Sequence, residues 1–290
     1  MTENTRSATF DVLIVGCGFM GSALARTLAE QGLRVAAWNR TFAKAEALSH
    51  YGVTPLHDID AAVKESDIVV AITATYDHVY SAIGGVTSWD GHLLVNLTSG
   101  RPDESDAFAD WAAQHGVDVL DGSILNYPRQ VGTAEAYFMY SGPTAAWQRA
   151  EPMLTLLGPS HYIPGAQSVS SDLLQGLCAF LIPALSSFVE AATYLQRRKV
   201  PTEQLLHAAG YLAESLQRTL PEVVEALDTG DLASDQASLE TFAESVEGSL
   251  AAFAAEGLNG RILRATGDAL DAARAEGLGE LSLYAQTTVM

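Results

Sequence analysis

The chain has 290 residues, of which 48% are hydrophobic and 18% charged, a composition that folds around a core and excludes a disordered chain. Lys and Arg number 16 against 35 Asp and Glu, a net charge of −19, which repels polyanions and makes nucleic acid and anionic membrane surfaces poor partners. Two cysteines far apart, Cys17 and Cys178, give no zinc or redox spacing, so no metal site is expected; with the polar start MTENTRSAT they point to a cytoplasmic protein.

In chain order, the first half alternates short apolar runs with amphipathic stretches, which predicts a parallel sheet flanked by helices. FDVLIV at 10–15, RVAAW at 34–38, IVVAI at 68–72, LLVNL at 93–97 and VDVL at 117–120 read as strands, with AYFMY at 136–140 as a further one. FMGSALARTLAEQ and RPDESDAFADWAAQH between them carry helical periodicity, the second with proline and acids in its first turn.

Directly after the first strand, GCGFMG sets Gly16, Gly18 and Gly21 in the G-x-G-x-x-G spacing, with Phe19 and Met20 completing the turn. The first glycine permits a tight turn, the second lets backbone approach a pyrophosphate, and the third lets helix and strand pack closely. A glycine-rich turn without a ligand is the alternative; the strand before it, the helix after it and the spacing to the second strand favour a dinucleotide. NAD sites usually offer Asp or Glu at the end of the second strand. Here Asn39 stands there, followed by Arg40, Thr41 and Lys44, two cations and a hydroxyl suited to a 2′-phosphate, so NADPH is the expected cofactor. Thr41 also suits a helix N-cap, and both readings can hold together. Thr73 and Ala74 after the third long strand are expected to line the same site. Asn96, Thr98 and Ser99 in NLTSGRP are expected on the nicotinamide side, although small polar residues at strand ends equally suit turns and caps.

After Gly165 the pattern changes to long helical periods without a convincing strand, and GPSHYIPGAQ, with two prolines and two glycines, reads as a linker. The expected organisation is an α/β Rossmann-type domain over 1–165, an interdomain helix over 166–198 and an all-α domain over 199–290. Residues 173–189 form an uncharged run at the short edge of a membrane span. Gln175, Gly176, Pro183, Ser186 and Ser187 within it suit lipid badly, and a helix buried between protein surfaces and bent at Pro183 fits better. So much apolar helix in a small domain predicts burial against a second copy, a homodimer; a monomer folding the helix onto its own sheet is the alternative.

Together GCGFMGSALARTLAEQG, WNRT, NLTSGRP and DGSILNYPRQVGTAEAYFMYSG resemble the imine reductases and reductive aminases, NADPH-dependent enzymes related to the β-hydroxyacid dehydrogenases. DQASLETFAESV and GLGELSLYA resemble the C-terminal helical domain of that family. The resemblance implies a Rossmann domain, a long interdomain helix and helical domains interlocked in a homodimer. The active site would lie between the Rossmann domain of one subunit and the helical domain of the other. On the long helix the related dehydrogenases carry a Lys, followed three residues later by Asn, as acid/base for a hydroxyl or carbonyl. This chain has Asp172 and Gln175 at that spacing and no lysine between Lys64 and Lys199.

The resemblance thus implies reduction of the C=N bond of a small-molecule imine or iminium, with Asp172 as proton donor or as the anion that holds the cation. Read alone, a lone acid after two serines would normally be a helix cap, formed by Ser170, Ser171 or Asp172, and its position in the family pattern reverses that ordering. A helix dipole stabilises a first-turn carboxylate, so burial must outweigh it if Asp172 is to donate at neutral pH. Ser123, Asn126 and Tyr127 in DGSILNYP, with Gln175 and Phe180 on the long helix, are the expected substrate pocket. Around Asn126 the chain departs from the family's more usual small and apolar residues, which bears on the substrate. Two other readings stay open: a β-hydroxyacid dehydrogenase acting on a small hydroxy or keto acid, disfavoured by the missing lysine, and a non-catalytic NADPH-binding sensor or scaffold.

Overall fold

The computed structural model describes residues 8–290; residues 1–7, most of the polar start noted above, lie outside them. Contacts part the chain into two compact units, one ending at Cys178 and one running from Ala179 to Met290. The first is built on an eight-stranded sheet of β1 (Phe10–Val15), β2 (Val35–Trp38), β3 (Thr54–Pro55), β4 (Ser66–Ala71), β5 (Leu93–Asn96), β6 (Asp118–Ile124), β7 (Phe138–Ser141) and β8 (Ser160–Ile163). The spatial order is β3-β2-β1-β4-β5-β6-β7-β8, parallel throughout except for the β6–β7 pair. Central strands with apolar residues on both faces demand cover on both sides. Helices α1 (Phe19–Glu30), α2 (Phe42–Glu46), α3 (Ile59–Lys64), α4 (Tyr76–Ile83), α5 (Pro102–Gln114) and α6 (Thr144–Leu154) provide it.

The period of two is visible along β1. Val12 and Ile14 join the core containing Leu24, Leu28, Phe138 and Leu154, whereas Leu13 and Val15 join the core containing Val79, Ile83 and Phe108. β1 pairs with β2 on one side and β4 on the other. The chain therefore reverses its direction of winding at β1, and the crevice beyond the carboxyl ends of β1 and β4 is where such sheets bind ligands.

Two strands escape the sequence pattern. β8 lies within GPSHYIPGAQ, read above as a linker, and pairs only with β7 at the sheet edge. None of its residues is buried, so it lacks the apolar signature of a central strand. β3 is just two residues long. β6 runs on to Ile124 because its second half pairs antiparallel with β7.

Helix α7 (Val169–Arg197) begins in the first unit and continues into the second, without a break at Pro183. The sequence boundaries at 166 and 198 set this helix apart, whereas the contacts divide it after Cys178. The second unit adds α8 (Thr202–Thr229), α9 (Leu239–Ala255) and α10 (Arg261–Ala275). Its core is formed by Leu239, Ala243, Leu270, Ala273 and Ala285. The Glu190 carboxylate accepts the N–H groups of Ile262 (3.1 Å) and Leu263 (3.4 Å) at the start of α10, where an anion satisfies otherwise unpaired donors. Among the described residues α7 alone is long and apolar enough to cross a membrane, with mean hydropathy 1.6 over its most apolar window. In the single chain Ile182 is 60% and Val189 64% exposed, as are Leu206 (61%) and Leu212 (64%) on α8.

Candidate active site

A cavity of about 610 Å³ opens at the carboxyl ends of β1 and β4. Gly16, Gly18, Phe19, Met20 and Gly21 form one wall; Asn39, Arg40, Thr41 and Lys44 form a second; Thr73 and Ala74 form a third. The three glycines are required for different reasons. Gly16 has φ +111°, and a Cβ there would lie 2.0 Å from the Ile72 carbonyl oxygen; one on Gly21 would lie 1.9 Å from the Gly16 carbonyl oxygen. Gly18, with φ −76°, would place a Cβ in open space with no protein atom within 4 Å. No packing demands glycine at 18, but close approach of a ligand to the backbone does. α1 starts at this turn with no side-chain cap and no acid in its first turn, so its unpaired N–H groups and dipole are open to a phosphate. The cradle fits a dinucleotide.

The second wall is suited to a 2′-phosphate. Asn39 Oδ1 accepts the Cys17 N–H (3.0 Å), and its Nδ2 donates to the Thr41 carbonyl (2.9 Å), so the amide is held in one orientation and presents no carboxylate to a ribose. Thr41 stands at the N-cap of α2 without a side-chain cap bond, so its hydroxyl is spared for other partners. Arg40 and Lys44 are exposed and form no ion pair among the described residues. Beneath them burial pushes the Cys17 thiol up to about 11, against the opposing pull of the Lys44 charge.

Trp38, Ile72, His78, Ser81 and Ala82 also line the cavity and were not anticipated. The i, i+3, i+4 spacing of His78, Ser81 and Ala82 on one face of α4 was the available signal. Asn96, Thr98 and Ser99 do not line it. Asn96 and Thr98 are buried, and the Thr98 hydroxyl accepts the Thr73 N–H (2.9 Å), so it steadies the third wall from behind. Ser99 is exposed.

The start of α7 corrects the cap reading. Ser170 and Ser171 turn inward, donating to Asp121 Oδ2 at 2.7 and 2.9 Å. The Ser141 hydroxyl accepts the Ser170 N–H (3.0 Å), and the Ser123 hydroxyl donates to the Ser170 carbonyl (2.9 Å). Gln175 Nε2 reaches the Gly100 carbonyl (2.8 Å). The Asp172 carboxylate is left exposed and hydrogen-bonds to no described residue. It sits in a concavity of about 410 Å³ with Val169, Leu173, Gly176 and Leu177, a spacing that marks one helix face. Asp172 is the single charge on that apolar stripe. The burial expected around it is absent in the single chain, where Leu173 and Leu177 are each 39% exposed.

The other pocket candidates fall in different places. Ser123 is buried with its hydroxyl committed to α7. Asn126 Oδ1 accepts the Tyr137 N–H (3.0 Å) and its Nδ2 donates to the Tyr127 carbonyl (3.2 Å), so its amide fixes the connection from β6 to β7. Tyr127 is 63% exposed beneath the Arg129 guanidinium. Phe180 belongs to the second unit and is 43% exposed. Not anticipated at all is Asp121, a buried carboxyl whose Oδ1 also accepts from Tyr76 (3.2 Å) and Asn96 (3.1 Å). Burial pushes its pKa above the usual carboxylate range, against the pull of its Ser170, Ser171 and Asn96 donors. Burial and the neighbouring Asp121 also raise the Tyr76 phenol, which stays a donor.

The chain matches known proteins over most of its length. Residues 11–165 match the NAD binding domain of 6-phosphogluconate dehydrogenase, and residues 171–290 match the C-terminal domain of NADPH-dependent reductive aminase-like proteins. An NADPH-dependent reductive aminase of Aspergillus oryzae is 28% identical over 232 residues, 78% of each chain. An imine reductase of Myxococcus stipitatus, solved with NADP+, is 27% identical with a TM-score of 0.87 over 96% of this chain and 98% of that one. A reductive aminase of Aspergillus terreus shares the fold at a TM-score of 0.92 and 24% identity, over 97% and 99% of the two chains. This chain belongs to the family built on the NAD-binding domain of 6-phosphogluconate dehydrogenase, among the members whose C-terminal domain is of the reductive aminase-like type.

Proposed function

We propose that this protein reduces the C=N bond of small-molecule imines or iminium ions with NADPH, and that Asp172 is the acid or counter-anion at the substrate nitrogen. The observation that carries the reading is the Asp172 carboxylate, unpartnered among the described residues on an apolar helix face in the unit that holds the dinucleotide cavity. The relatives named above, reductive aminases and an imine reductase, support it. NADPH, when bound, supplies the hydride. Arg40, Thr41 and Lys44 would hold its 2′-phosphate, and the Gly16–Gly18 turn with the first N–H groups of α1 would receive the pyrophosphate. Asp172 attracts a cationic nitrogen or gives it a proton, making the adjacent carbon electrophilic. Val169, Leu173 and Leu177 flank that charge with apolar surface, which would exclude water and strengthen its field once a second copy covers it. No lysine stands on this face to serve a hydroxyl or carbonyl substrate, which weighs against the hydroxyacid reading.

The homodimer belongs to this proposal. The Asp172 concavity is open, and the apolar residues of α7 and α8 are exposed in the single chain. A second copy laid on them would take Asp172 out of water and strengthen its interaction with a cationic nitrogen. A cytoplasmic location completes the reading, supported by the two unpaired cysteines.

The test follows NADPH absorbance against cyclic imines, ketone plus amine mixtures and keto acids, and NADP+ reduction with hydroxy acids. Consumption with C=N substrates alone is expected. Asp172→Asn should lose about 10²- to 10⁴-fold in turnover, the range for a positioned acid, while binding NADPH as before. Hydroxy-acid oxidation, cofactor binding without turnover, or an unimpaired Asp172→Asn enzyme would overturn the proposal.

A further inference from the structure

Asp121 is 2% exposed and pairs with no Lys, Arg or His among the described residues. A buried carboxyl without a cation costs stability that a well-packed apolar residue would not, so its presence calls for another reason. Four neutral donors converge on it, two on each oxygen: Tyr76 and Asn96 on Oδ1, Ser170 and Ser171 on Oδ2. Their directions are fixed. The Thr98 N–H donates to Asn96 Oδ1 (3.2 Å), so Asn96 Nδ2 must face both Asp121 and the Tyr76 hydroxyl (2.8 Å), and Tyr76 in turn donates to Asp121. One side of the carboxyl is thus anchored to the ends of β5 and α4. The other side grips two consecutive residues of α7.

Consecutive residues point about 100° apart around a helix axis. Holding the side chains of both Ser170 and Ser171 on one oxygen therefore fixes the rotation of α7 as well as its distance from the sheet. Asp172 is the next step around that axis. A negative group at the first turn also complements the helix dipole.

We propose that Asp121 is a positioning residue: through Ser170 and Ser171 it sets the rotation of α7 and so aims Asp172. This rests on the reading of Asp172 given above. In Asp121→Asn the amide nitrogen cannot face Asn96, which only donates there, so it must face the serines. The two serine hydroxyls must then turn round to accept from the amide, which replaces two hydrogen bonds to a carboxylate by weaker neutral ones and loosens the grip on α7 while the isosteric side chain still fills its place.

Two measurements test this, the first independent of activity. Hydrogen exchange in Asp121→Asn should quicken about tenfold or more at amides 170–174 and stay native in β1 and β4. In turnover, kcat should fall about tenfold with the NADPH KM within about twofold of native, yet fall less than about twofold further when the substitution is made in Asp172→Asn. A Ser170→Ala, Ser171→Ala double variant keeps Asp121, should give the same pattern, and serves if Asp121→Asn does not fold. Native exchange at 170–174, or an equal loss of kcat in both backgrounds, would overturn the proposal. If Asp172→Asn alone keeps full turnover, the reading of Asp172 falls, and the exchange result decides the role of Asp121 in holding α7.

Discussion

Replacing Gly18 by alanine separates what the protein's own packing requires from what a ligand requires. At φ −76° an alanine meets no backbone strain, and its Cβ would have no protein atom within 4 Å. Losing a glycine from the unfolded chain gains about 0.4–1 kcal/mol, and losing it from an N-cap costs a similar amount, about 1 kcal/mol. The thermal midpoint should therefore barely move. The methyl group would, however, stand between the turn and a phosphate. Loss of one charge-assisted backbone hydrogen bond, about 1.5–3 kcal/mol, corresponds to an increase of about 10- to 150-fold in the NADPH dissociation constant. Gly21→Ala is the contrast, since its Cβ would lie 1.9 Å from a backbone oxygen and must displace α1. That overpacking should cost about 1–3 kcal/mol or more of stability. NADPH fluorescence titration beside thermal melts reads both effects. Native affinity in Gly18→Ala, or a melting loss equal to that of Gly21→Ala, would refute the assignment of this turn to the cofactor.

Two further outcomes follow from the same cavity. Arg40→Ala and Lys44→Ala, each removing one exposed cation, should weaken NADPH about tenfold apiece while leaving NADH nearly unchanged, the NADPH loss shrinking as salt is raised; parallel losses for both nucleotides in titrations would sink the 2′-phosphate assignment. Cys17 is 4% exposed with its thiol pushed up to about 11 by burial, so at pH 8 only about 0.1% is thiolate. Iodoacetamide followed by peptide mass analysis should find Cys17 modified far more slowly than a free thiol, and labelling of Cys17 at the rate of a free thiol would contradict the packing beneath the second wall.

Features that depend on neighbours along the chain can be read from the residues alone. The G-x-G-x-x-G turn, the strand before it and the helix after it are local, so Gly16 to Gly21 and Asn39 to Lys44 were legible as the two walls that line the cavity. Strands buried on both faces announce themselves as apolar runs, and the helices of the second unit announce themselves by period. β8 did not, because an edge strand with no buried residue has no reason to be apolar.

The tertiary structure alone decided where polar groups find partners. Ser170 and Ser171 look like caps because a cap needs only its own helix, yet they serve a carboxyl 49 and 50 residues earlier in the chain. Asn96 and Thr98, which ligand contact and turn chemistry suited equally, hold Asp121 and the backbone of Thr73. Asn126 likewise closes the loop beyond β6. A side-chain hydrogen bond is short-ranged and directional, so its partner is set by which strand ends and helix starts the fold brings within about 3 Å. Composition and spacing carry no record of that distance. Asp172 differs from its neighbours here because the fold satisfies Ser170, Ser171 and Gln175 and gives its carboxylate no partner among the described residues.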